Sequence, residues 1–319
     1  MTDVIVAGGG LAGLVAARHL AANGADVTVF EQHEEVGGRV RTDHRDGFTF
    51  DRGFQVLFTA YPAVQDELDL AALDLRAFRP GAILAKPGER STLADPLRDP
   101  SALLPSLLNR DVTFGDKLRT FKLRWAMSRK PIADILAEDH ESIDDALRGL
   151  GFSEQFRDRF AAPFYGGITL DRSLSTSRLV FEYTFKMLST GKIVVPSAGM
   201  QAIPEQLAAA AREAGATIET GQTVDSLTQD SDGVQCVVDG ETIEADGAVV
   251  ATDPKSAREL TDCEAIPTDG DGCVTQYFSL PDTQALRTGG RLILNTVDDR
   301  PNQIAPLSTV APGRAKKAY

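Results

Sequence analysis

The chain has 319 residues, of which 42% are hydrophobic, so it can form one large or two ordinary globular domains with a real core. Its net charge of −13 argues against a nucleic-acid partner, because phosphate binding needs clustered lysine and arginine. This charge suits either a protein kept soluble in concentrated salt or an ordinary acidic protein, and the sequence leaves both open.

The three cysteines, Cys236, Cys263 and Cys273, are odd in number and show no CxxC spacing. This pattern predicts reduced thiols, with neither a disulfide framework nor a zinc site. The histidines are scattered, so no metal site is expected. There is no run of eighteen apolar residues, and the chain enters a predicted strand at once, so neither a membrane-spanning helix nor a signal peptide is predicted. We expect a cytoplasmic protein.

The most informative stretch is the first one, in which a β-branched run is followed by a glycine motif, a helical segment and a second strand. The motif is GxGxxG, formed by Gly8, Gly10 and Gly13, and the second strand, from Asp26 to Phe30, ends at Glu31. In a dinucleotide site these glycines permit a tight turn, a close approach of the pyrophosphate and packing of the helix on the strand. The stretch therefore predicts a dinucleotide site, and it does not choose between NAD and FAD.

A second glycine pair follows, Gly37 and Gly38, with Arg39 directly after it. Such a pair can form a backbone nest for an anion with a guanidinium beside it, and the alternative is a simple turn with a surface arginine. In residues 47–56 apolar and polar side chains then alternate, and the chain turns at Gly53. This turn either lays backbone against a flat ring or is an ordinary strand end.

Together these motifs resemble the flavin-containing amine oxidase and phytoene desaturase superfamily, which includes protoporphyrinogen oxidase. The resemblance rests on GxGxxG, the acid that ends the second strand, GGRxRT and a D-x-G turn. It implies FAD as the cofactor and an α/β fold, in which a Rossmann-like FAD-binding domain (a parallel sheet with a β-meander) carries an inserted, mainly helical substrate domain.

By this resemblance the first glycines contact the pyrophosphate, Glu31 binds the adenosine ribose, Gly38 and Arg39 lie along the phosphates, and Gly53 to Gln55 lie near the isoalloxazine. Val224 holds the adenine through its backbone. The full cofactor-binding set is Gly8, Gly10, Leu11, Ala12, Gly13, Glu31, Gln32, Gly38, Arg39, Gly53, Phe54, Gln55 and Val224. No catalytic residue and no metal ligand can be named.

The predicted FAD-binding domain comprises residues 1–70 and 190–262, and the predicted substrate domain comprises 71–189 and 263–319. Helices are expected over 101–109 and 114–127, and Ser142 is expected to cap another. Residues 162–168 resemble the desaturase side of the superfamily, where Phe164 and Tyr165 either line an apolar pocket or belong to the core.

After residue 196 the sequence returns to the predicted FAD-binding domain. A helix is predicted from Ile203 to Gly215, and strands follow over 216–220, 223–227 and 234–238, with hairpin turns at Asp232-Gly233 and Asp239-Gly240. A strand over 245–252 is expected to close the meander. Asp253 stands where the similar Ala-Thr-Gly motif has glycine.

Residues 263–319 are expected to be strand-rich, as part of a sheet that lines the substrate site, and to end in a tail. Family members go on to a third FAD-binding segment, which we do not find after Val274, so the second part of the substrate domain is expected to be incomplete. Between Lys255 and Lys316 there is no lysine, whereas amine oxidases of the superfamily usually carry one near flavin N5.

The sequence therefore favours an FAD-dependent oxidoreductase that removes a hydride from a hydrophobic small molecule, similar to a phytoene or carotenoid desaturase. The alternatives are an amine oxidase-like or protoporphyrinogen oxidase-like enzyme, or a flavin-binding protein without turnover. A further alternative, an NAD-dependent dehydrogenase, is disfavoured by GGRxRT. The oligomeric state is not predicted.

One segment is basic against this acidic background, with cationic and apolar residues interleaved. They are Lys117, Arg119, Lys122, Arg124, Arg129 and Lys130 around Phe121, Leu123 and Trp125. A basic amphipathic helix can rest on an anionic membrane surface, which would make the protein peripherally membrane-associated. The alternative, which the sequence alone favours, is a solvated helix paired with nearby acids.

Overall fold

The computed structural model describes residues 1–137, 141–231, 233–298 and 300–315. His140, Asp232 and the predicted tail beyond residue 315 lie outside these ranges. The strands are β1 (Asp3–Ala7), β2 (Asp26–Glu31), β3 (Thr42–Arg45), β4 (Phe48–Asp51), β5 (Leu57–Phe58), β6 (Leu75–Ala77), β7 (Ala82–Lys86), β8 (Glu89–Leu93), β9 (Ile193–Pro196), β10 (Thr217–Thr220), β11 (Val224–Gln229), β12 (Val234–Val238), β13 (Glu241–Ala245), β14 (Gly247–Val250), β15 (Leu292–Asn295) and β16 (Gln303–Ile304).

The helices are α1 (Leu11–Ala22), α2 (Pro62–Glu67), α3 (Leu103–Leu108), α4 (Phe114–Arg129), α5 (Ile132–Leu136), α6 (Ile143–Gly149), α7 (Glu154–Phe156), α8 (Ala162–Thr169), α9 (Arg178–Thr190), α10 (Ala202–Glu213), α11 (Pro254–Thr261) and α12 (Leu307–Val310). A π-helical turn, Arg157–Ala161, joins α7 to α8. None of the helices in the described part of the chain is long and apolar enough to cross a bilayer.

The chain forms two compact units, each built from several segments. Unit 1 contains residues 1–55, 65–74 and 196–270, and unit 2 contains 56–64, 75–195 and 271–319. The assignment of a cofactor role and a substrate role to two domains stays a prediction.

Unit 1 is built on a four-stranded parallel sheet in the order β10-β2-β1-β14. Parallel neighbours need a crossover, and α1 supplies the one between β1 and β2. Because side chains alternate along a strand, Val27 and Val29 of β2 face a core that includes Ala17 of α1 and Ala211 of α10. Phe30 faces the other side of the sheet. This arrangement confirms the predicted Rossmann-like α/β fold.

The meander is antiparallel, in the order β11-β12-β13, and Cys236 and Val238 of β12 pack with Phe30 of the parallel sheet. Its second turn is as predicted, with Asp239 and Gly240 both at positive φ (47° and 82°). The prediction that residues 245–252 close the meander is wrong. Their strand, β14, pairs parallel with β1, and the meander instead ends with β13.

Unit 2 is largely helical, as predicted, and the Ser142 hydroxyl caps α6 by accepting the Asp145 N–H at 3.0 Å. It also contains a mixed sheet in the order β16-β15-β7-β8, to which residues 263–319 contribute β15 and β16, as expected of part of a sheet. The expectation that residues 263–319 are strand-rich is wrong, since they contribute only β15 and β16 in the described ranges. Residues 269–272 alternate aspartate with glycine, which favours turns over strands.

Candidate functional site: a glycine-lined anion site in unit 1

The first glycine turn is fixed by two glycines that the fold itself requires. Gly8 has φ +108°, and a Cβ there would lie 2.8 Å from the carbonyl oxygen of Ala251. A Cβ on Gly13 would lie 2.0 Å from the carbonyl oxygen of Gly8. These glycines let the start of α1, the end of β1 and the residue after β14 approach one another, which is the packing role predicted for such a motif.

Gly10 differs, because a Cβ there would meet no atom within 4 Å. Gly10 is the N-cap of α1, which has no side-chain cap and no acid in its first turn. The first helical hydrogen bond is from Leu14 N–H to the Gly10 carbonyl (3.0 Å). The N–H groups of Leu11, Ala12 and Gly13 therefore precede the hydrogen-bonded part of α1, and they lie at the positive end of the helix dipole. Such a terminus is suited to bind an anion.

Gly9, which the sequence analysis did not single out, connects three parts of the site. Its N–H donates to Glu31 Oε2 at 2.8 Å, and its carbonyl accepts the Gly37 N–H at 2.8 Å. A Cβ on Gly9 would lie 2.9 Å from the Cβ of Glu31. The run of three glycines was the available signal, but the GxGxxG pattern leaves the residue between the first two glycines unspecified.

Glu31 ends β2 with a carboxylate that is buried (5% exposed). Besides the Gly9 N–H, it accepts the His33 N–H at 3.0 Å and contacts His33 Nδ1 at 2.7 Å. Three donors thus reach a group with about four acceptor positions, so one remains for a hydroxyl. Gln32, the next residue, is exposed. Glu31 therefore holds the first glycine turn in place through its hydrogen bond with Gly9, and it lies next to that turn.

The second glycine pair lies against the first. Gly37 and Gly38 both have positive φ (122° and 56°), and a Cβ on Gly38 would lie 3.5 Å from the Cα of Gly10. Arg39 is exposed and forms no ion pair with any residue in the described ranges. Its carbonyl accepts the side-chain N–H of Gln55 at 3.0 Å. The residue that directly follows the second glycine pair therefore carries a guanidinium with no ion pair in the described ranges.

Gln55 belongs to the segment after β4, where Gly53 and Phe54 are also half-buried. Gly53 has φ +93°, and a Cβ there would meet nothing within 4 Å. The described structure connects this segment to the glycine turns through the contact between Gln55 and Arg39.

A buried polar network holds the D-x-G turn in place. Asp51 Oδ1 accepts the Thr42 hydroxyl at 2.7 Å and the Met200 N–H at 2.8 Å. The Thr42 hydroxyl oxygen accepts the Gln201 N–H at 3.0 Å. Buried beside this network, Arg41 Nε and Gln201 Oε1 have no hydrogen-bond partner in the described structure. The sequence pointed to the turn but not to this role of its aspartate.

Val224 lies beside the end of β2. The preceding residues Gly221 and Gln222 donate their N–H groups to the carbonyls of His33 (2.9 Å) and Glu31 (3.0 Å). Val224 itself packs with the cluster that contains Phe30. The structure therefore brings the predicted adenine-binding residue close to the predicted ribose-binding residue.

Asp253 has a role that explains its departure from glycine. It is the N-cap of α11, and its side chain accepts the N–H groups of Lys255 (3.0 Å) and Ser256 (3.3 Å). Hydrogen bonds from Ser256, with its hydroxyl making the larger contribution, lower the pKa of this carboxyl. An aspartate followed by proline was the signal for this helix, which the sequence analysis missed.

In unit 2, Tyr165 is a core residue (3% exposed), and its ring meets Phe181 edge-on at 5.1 Å. Burial raises the pKa of its phenol. Phe164 is partly buried and packs on the same cluster. The sequence left open whether Tyr165 lines an apolar pocket or belongs to the core, and the structure places it in the core.

Comparison with known proteins identifies the family of this chain. A profile of the family described as flavin-containing amine oxidoreductase matches residues 11–270. The chain belongs to this family. Membership implies a flavin cofactor, and the residues present fit one. The open space at Gly10, the free N–H groups of α1 and the unpaired Arg39 would accommodate its phosphate.

Curated relatives within this family include carotenoid enzymes. A phytoene dehydrogenase of Streptomyces griseus is 30% identical over 287 residues, which are 81% of this chain and 55% of that protein. A carotenoid 3,4-desaturase of Haloarcula japonica is 26% identical over 284 residues, 81% of this chain and 57% of that protein. The chain thus spans little more than half the length of these relatives.

Solved structures share the fold. An oxidoreductase from Methanosarcina mazei matches with a TM-score of 0.70 and 18% identity, over 99% of this chain and 76% of that one. A putrescine oxidase bound to putrescine matches with a TM-score of 0.58 and 22% identity, over 82% of this chain and 60% of that one.

Proposed function

We propose that this protein is an FAD-dependent oxidoreductase that removes a hydride from a hydrophobic small molecule of the phytoene or carotenoid type. The observation that carries the proposal is the open space at Gly10, bordered by the N-terminus of α1 and by Gly38, which Arg39 follows in the chain. Family membership supports a flavin. The buried Glu31 beside this space favours FAD over FMN, because only FAD has an adenosine ribose for it to bind.

In this proposal each residue has a physical task. The N–H groups of Leu11 and Ala12 donate to the diphosphate, and Arg39 neutralises its charge. Glu31 accepts from a ribose hydroxyl, and the backbone of Val224 holds the adenine. When bound, the flavin supplies the hydride acceptor, so the protein need only bind, orient and exclude water.

Two observations support an apolar isoprenoid substrate over an amine. The relatives described above are named for phytoene and carotenoid chemistry. The sequence also has no lysine between Lys255 and Lys316, where the resemblance places one in amine oxidases. A second candidate is a tetrapyrrole oxidase, because a coproporphyrinogen III oxidase of Propionibacterium freudenreichii is 29% identical over 176 residues, 52% of this chain.

The test is the visible spectrum of the purified protein, mixed without oxygen with phytoene, coproporphyrinogen or putrescine. Bleaching of bound flavin by phytoene supports the proposal. Bleaching by coproporphyrinogen alone would show a tetrapyrrole substrate in place of the isoprenoid, and bleaching by putrescine alone would show an amine substrate. Bound flavin that none of the three bleaches points to a flavin-binding protein without turnover. A colourless protein that binds NADH but not FAD would overturn the proposal.

A further inference from the structure

Helix α4 in unit 2 exposes an unusual number of large apolar side chains. Phe114 (74% exposed), Leu118 (49%), Phe121 (56%) and Trp125 (59%) are spaced by four, three and four residues. At 3.6 residues per turn they fall on one face, within an arc of roughly 60°. Because an amphipathic helix on a domain surface normally exposes polar residues, this face requires an explanation.

The buried face of α4 is a different one. Leu123 and Met127 are in the core of unit 2 (7% and 6% exposed), and their positions lie roughly opposite the exposed stripe. The helix is therefore apolar on two opposite faces, only one of which the described structure covers.

The preceding helix, α3, also exposes large apolar side chains. α3 exposes four leucines by about half or more of their area: Leu103, Leu104, Leu107 and Leu108. Lys117 of α4 ties the two helices together, because its ammonium donates to the carbonyls of Leu107 (3.1 Å) and Asn109 (2.9 Å). We call these four leucines and the four residues of the α4 stripe the apolar surface. Large exposed apolar areas are uncommon on monomeric soluble proteins and mark interaction surfaces.

Charge distinguishes this region from the rest of the chain. Residues 101–133 contain seven Lys and Arg and two acids, a net charge of +5, whereas the whole chain carries −13. Both acids, Asp111 and Asp116, are buried (3% and 0% exposed). Of the cations, Arg110, Lys122 and Arg129 are exposed and the other four are half-buried, so the solvent-exposed charge of this segment is positive.

The basic residues border the apolar stripe on both sides. By helical spacing Lys117 and Arg124 lie on one side of it, and Lys122 and Arg129 lie on the other. Lys122 is exposed and forms no ion pair with any residue in the described ranges, and the Arg129 guanidinium lies 4.0 Å from the centre of the Trp125 ring. Of these four cations, Arg124 is paired in the described structure with a carboxylate outside α4, that of Asp95, and at the end of the helix Lys130 is paired with Glu182 of α9 at 2.6 Å.

We propose that the apolar surface of α3 and α4 docks on an anionic lipid bilayer. An apolar face with aromatic residues and flanking Lys and Arg is the pattern of helices that lie in the membrane interface. Charge complementarity selects an anionic surface, and the negative charge elsewhere on the chain disfavours other orientations. This proposal is independent of the proposed function, because lipid binding needs neither flavin nor turnover.

Trp125 is the single tryptophan of the chain, so its fluorescence reports on this surface alone. We would titrate the purified protein with vesicles of phosphatidylcholine containing phosphatidylglycerol, and with vesicles of phosphatidylcholine alone. The expected result is a blue shift of the emission and pelleting with the anionic vesicles, both weakened by salt. Absence of a shift and of pelleting with either vesicle would overturn the proposal.

Two exposed positions allow the contributions to be separated without disturbing the fold. Phe121→Ser should raise the dissociation constant for anionic vesicles roughly tenfold or more, by removing apolar area from the interface. Lys122→Glu should raise it several-fold and reduce the salt dependence. Matched controls outside the segment that forms α3 and α4 are Phe278→Ser, at an 81% exposed position, and Lys255→Glu. These should stay within about twofold of the unmodified protein.

Two further outcomes would contradict the proposal. Binding that is unchanged in Phe121→Ser and Lys122→Glu would place the lipid contact elsewhere. A dimer seen by light scattering, abolished by Phe121→Ser and accompanied by no vesicle binding, would show that a second copy of the chain covers this surface. Thermal unfolding of each variant, expected at the same midpoint as the unmodified protein, ensures that a loss of binding is not a loss of fold.

Discussion

Replacing Gly10 with alanine should abolish cofactor binding and leave folding intact. Gly10 has φ −75° and ψ 179°, which any residue adopts, and its Cβ would meet no atom within 4 Å. Alanine is a poorer N-cap than glycine by several tenths of a kcal/mol, whereas the reduced entropy of the unfolded chain returns about 0.4–1 kcal/mol. The free energy of unfolding should therefore change by less than about 1 kcal/mol.

The effect on binding is much larger, because the methyl group would occupy the space proposed for the diphosphate. Losing two hydrogen bonds between N–H groups of α1 and a charged phosphate, at about 1.5–3 kcal/mol each, raises the dissociation constant by roughly 10²- to 10⁴-fold. Gly13→Ala is the contrasting variant. Its Cβ would lie 2.0 Å from a backbone oxygen, so we expect a loss of about 3 kcal/mol or more in unfolding free energy.

Quenching of flavin fluorescence measures the dissociation constant, and urea unfolding of the flavin-free protein measures stability. The expected pattern is a stable Gly10→Ala that does not retain FAD and an unstable Gly13→Ala. Tight FAD binding by Gly10→Ala would refute the placement of the diphosphate. Equal destabilisation of both variants would refute the assignment of separate roles to the two glycines.

Three further substitutions test the site and unit 2. Glu31→Gln should weaken FAD binding and also lower the unfolding free energy by about 1–3 kcal/mol, because an amide cannot accept from Gly9 and His33 on both of its atoms. Urea unfolding with unchanged stability would contradict this structural role. Asp51→Ala should cost about 2–3 kcal/mol in the same assay, since the buried Thr42 hydroxyl and Met200 N–H lose their acceptor. Hydrogen bonds from Ser173 and then Ser175 lower the pKa of Asp171 to about 2, so its contribution to stability is present above pH ~4 and is lost as the pH falls towards about 2. The difference in urea midpoint between the unmodified protein and Asp171→Ala should therefore be constant near neutrality and disappear at the acid end, and a difference independent of pH would refute it.

The parts of the fold that sequence could predict are those encoded by neighbouring residues. The first strand, the glycine turn, α1 and β2 follow one another directly, and each has a local cause in β-branched residues, glycine or alanine. The cap at Ser142 and the turn at Asp239-Gly240 are equally local, since a side chain or a positive φ determines them within three residues.

The remaining features depend on partners distant in sequence. β7 pairs with β15 between Ala82 and Leu292, and no periodicity within either short strand indicates that pairing. The acceptor role of Asp51 towards Met200 likewise joins residues 149 positions apart. In Glu31 the sequence indicated a ribose ligand, but its hydrogen bond to Gly9 becomes visible only once β2 and the glycine turn are placed side by side. The roles of the cofactor-binding set stay predictions.

The position of β1 between β2 and β14 has a consequence for biosynthesis. β2 is made about twenty residues after β1, but the strand on the other side, paired through Val4 and Gly247, is made about 240 residues later. At translation rates of 5–20 residues per second, β1 emerges from the ribosome roughly 12–50 seconds before that neighbour exists. Throughout this interval one edge of an apolar parallel strand lacks its native partner, and its unpaired backbone groups can pair with another nascent chain.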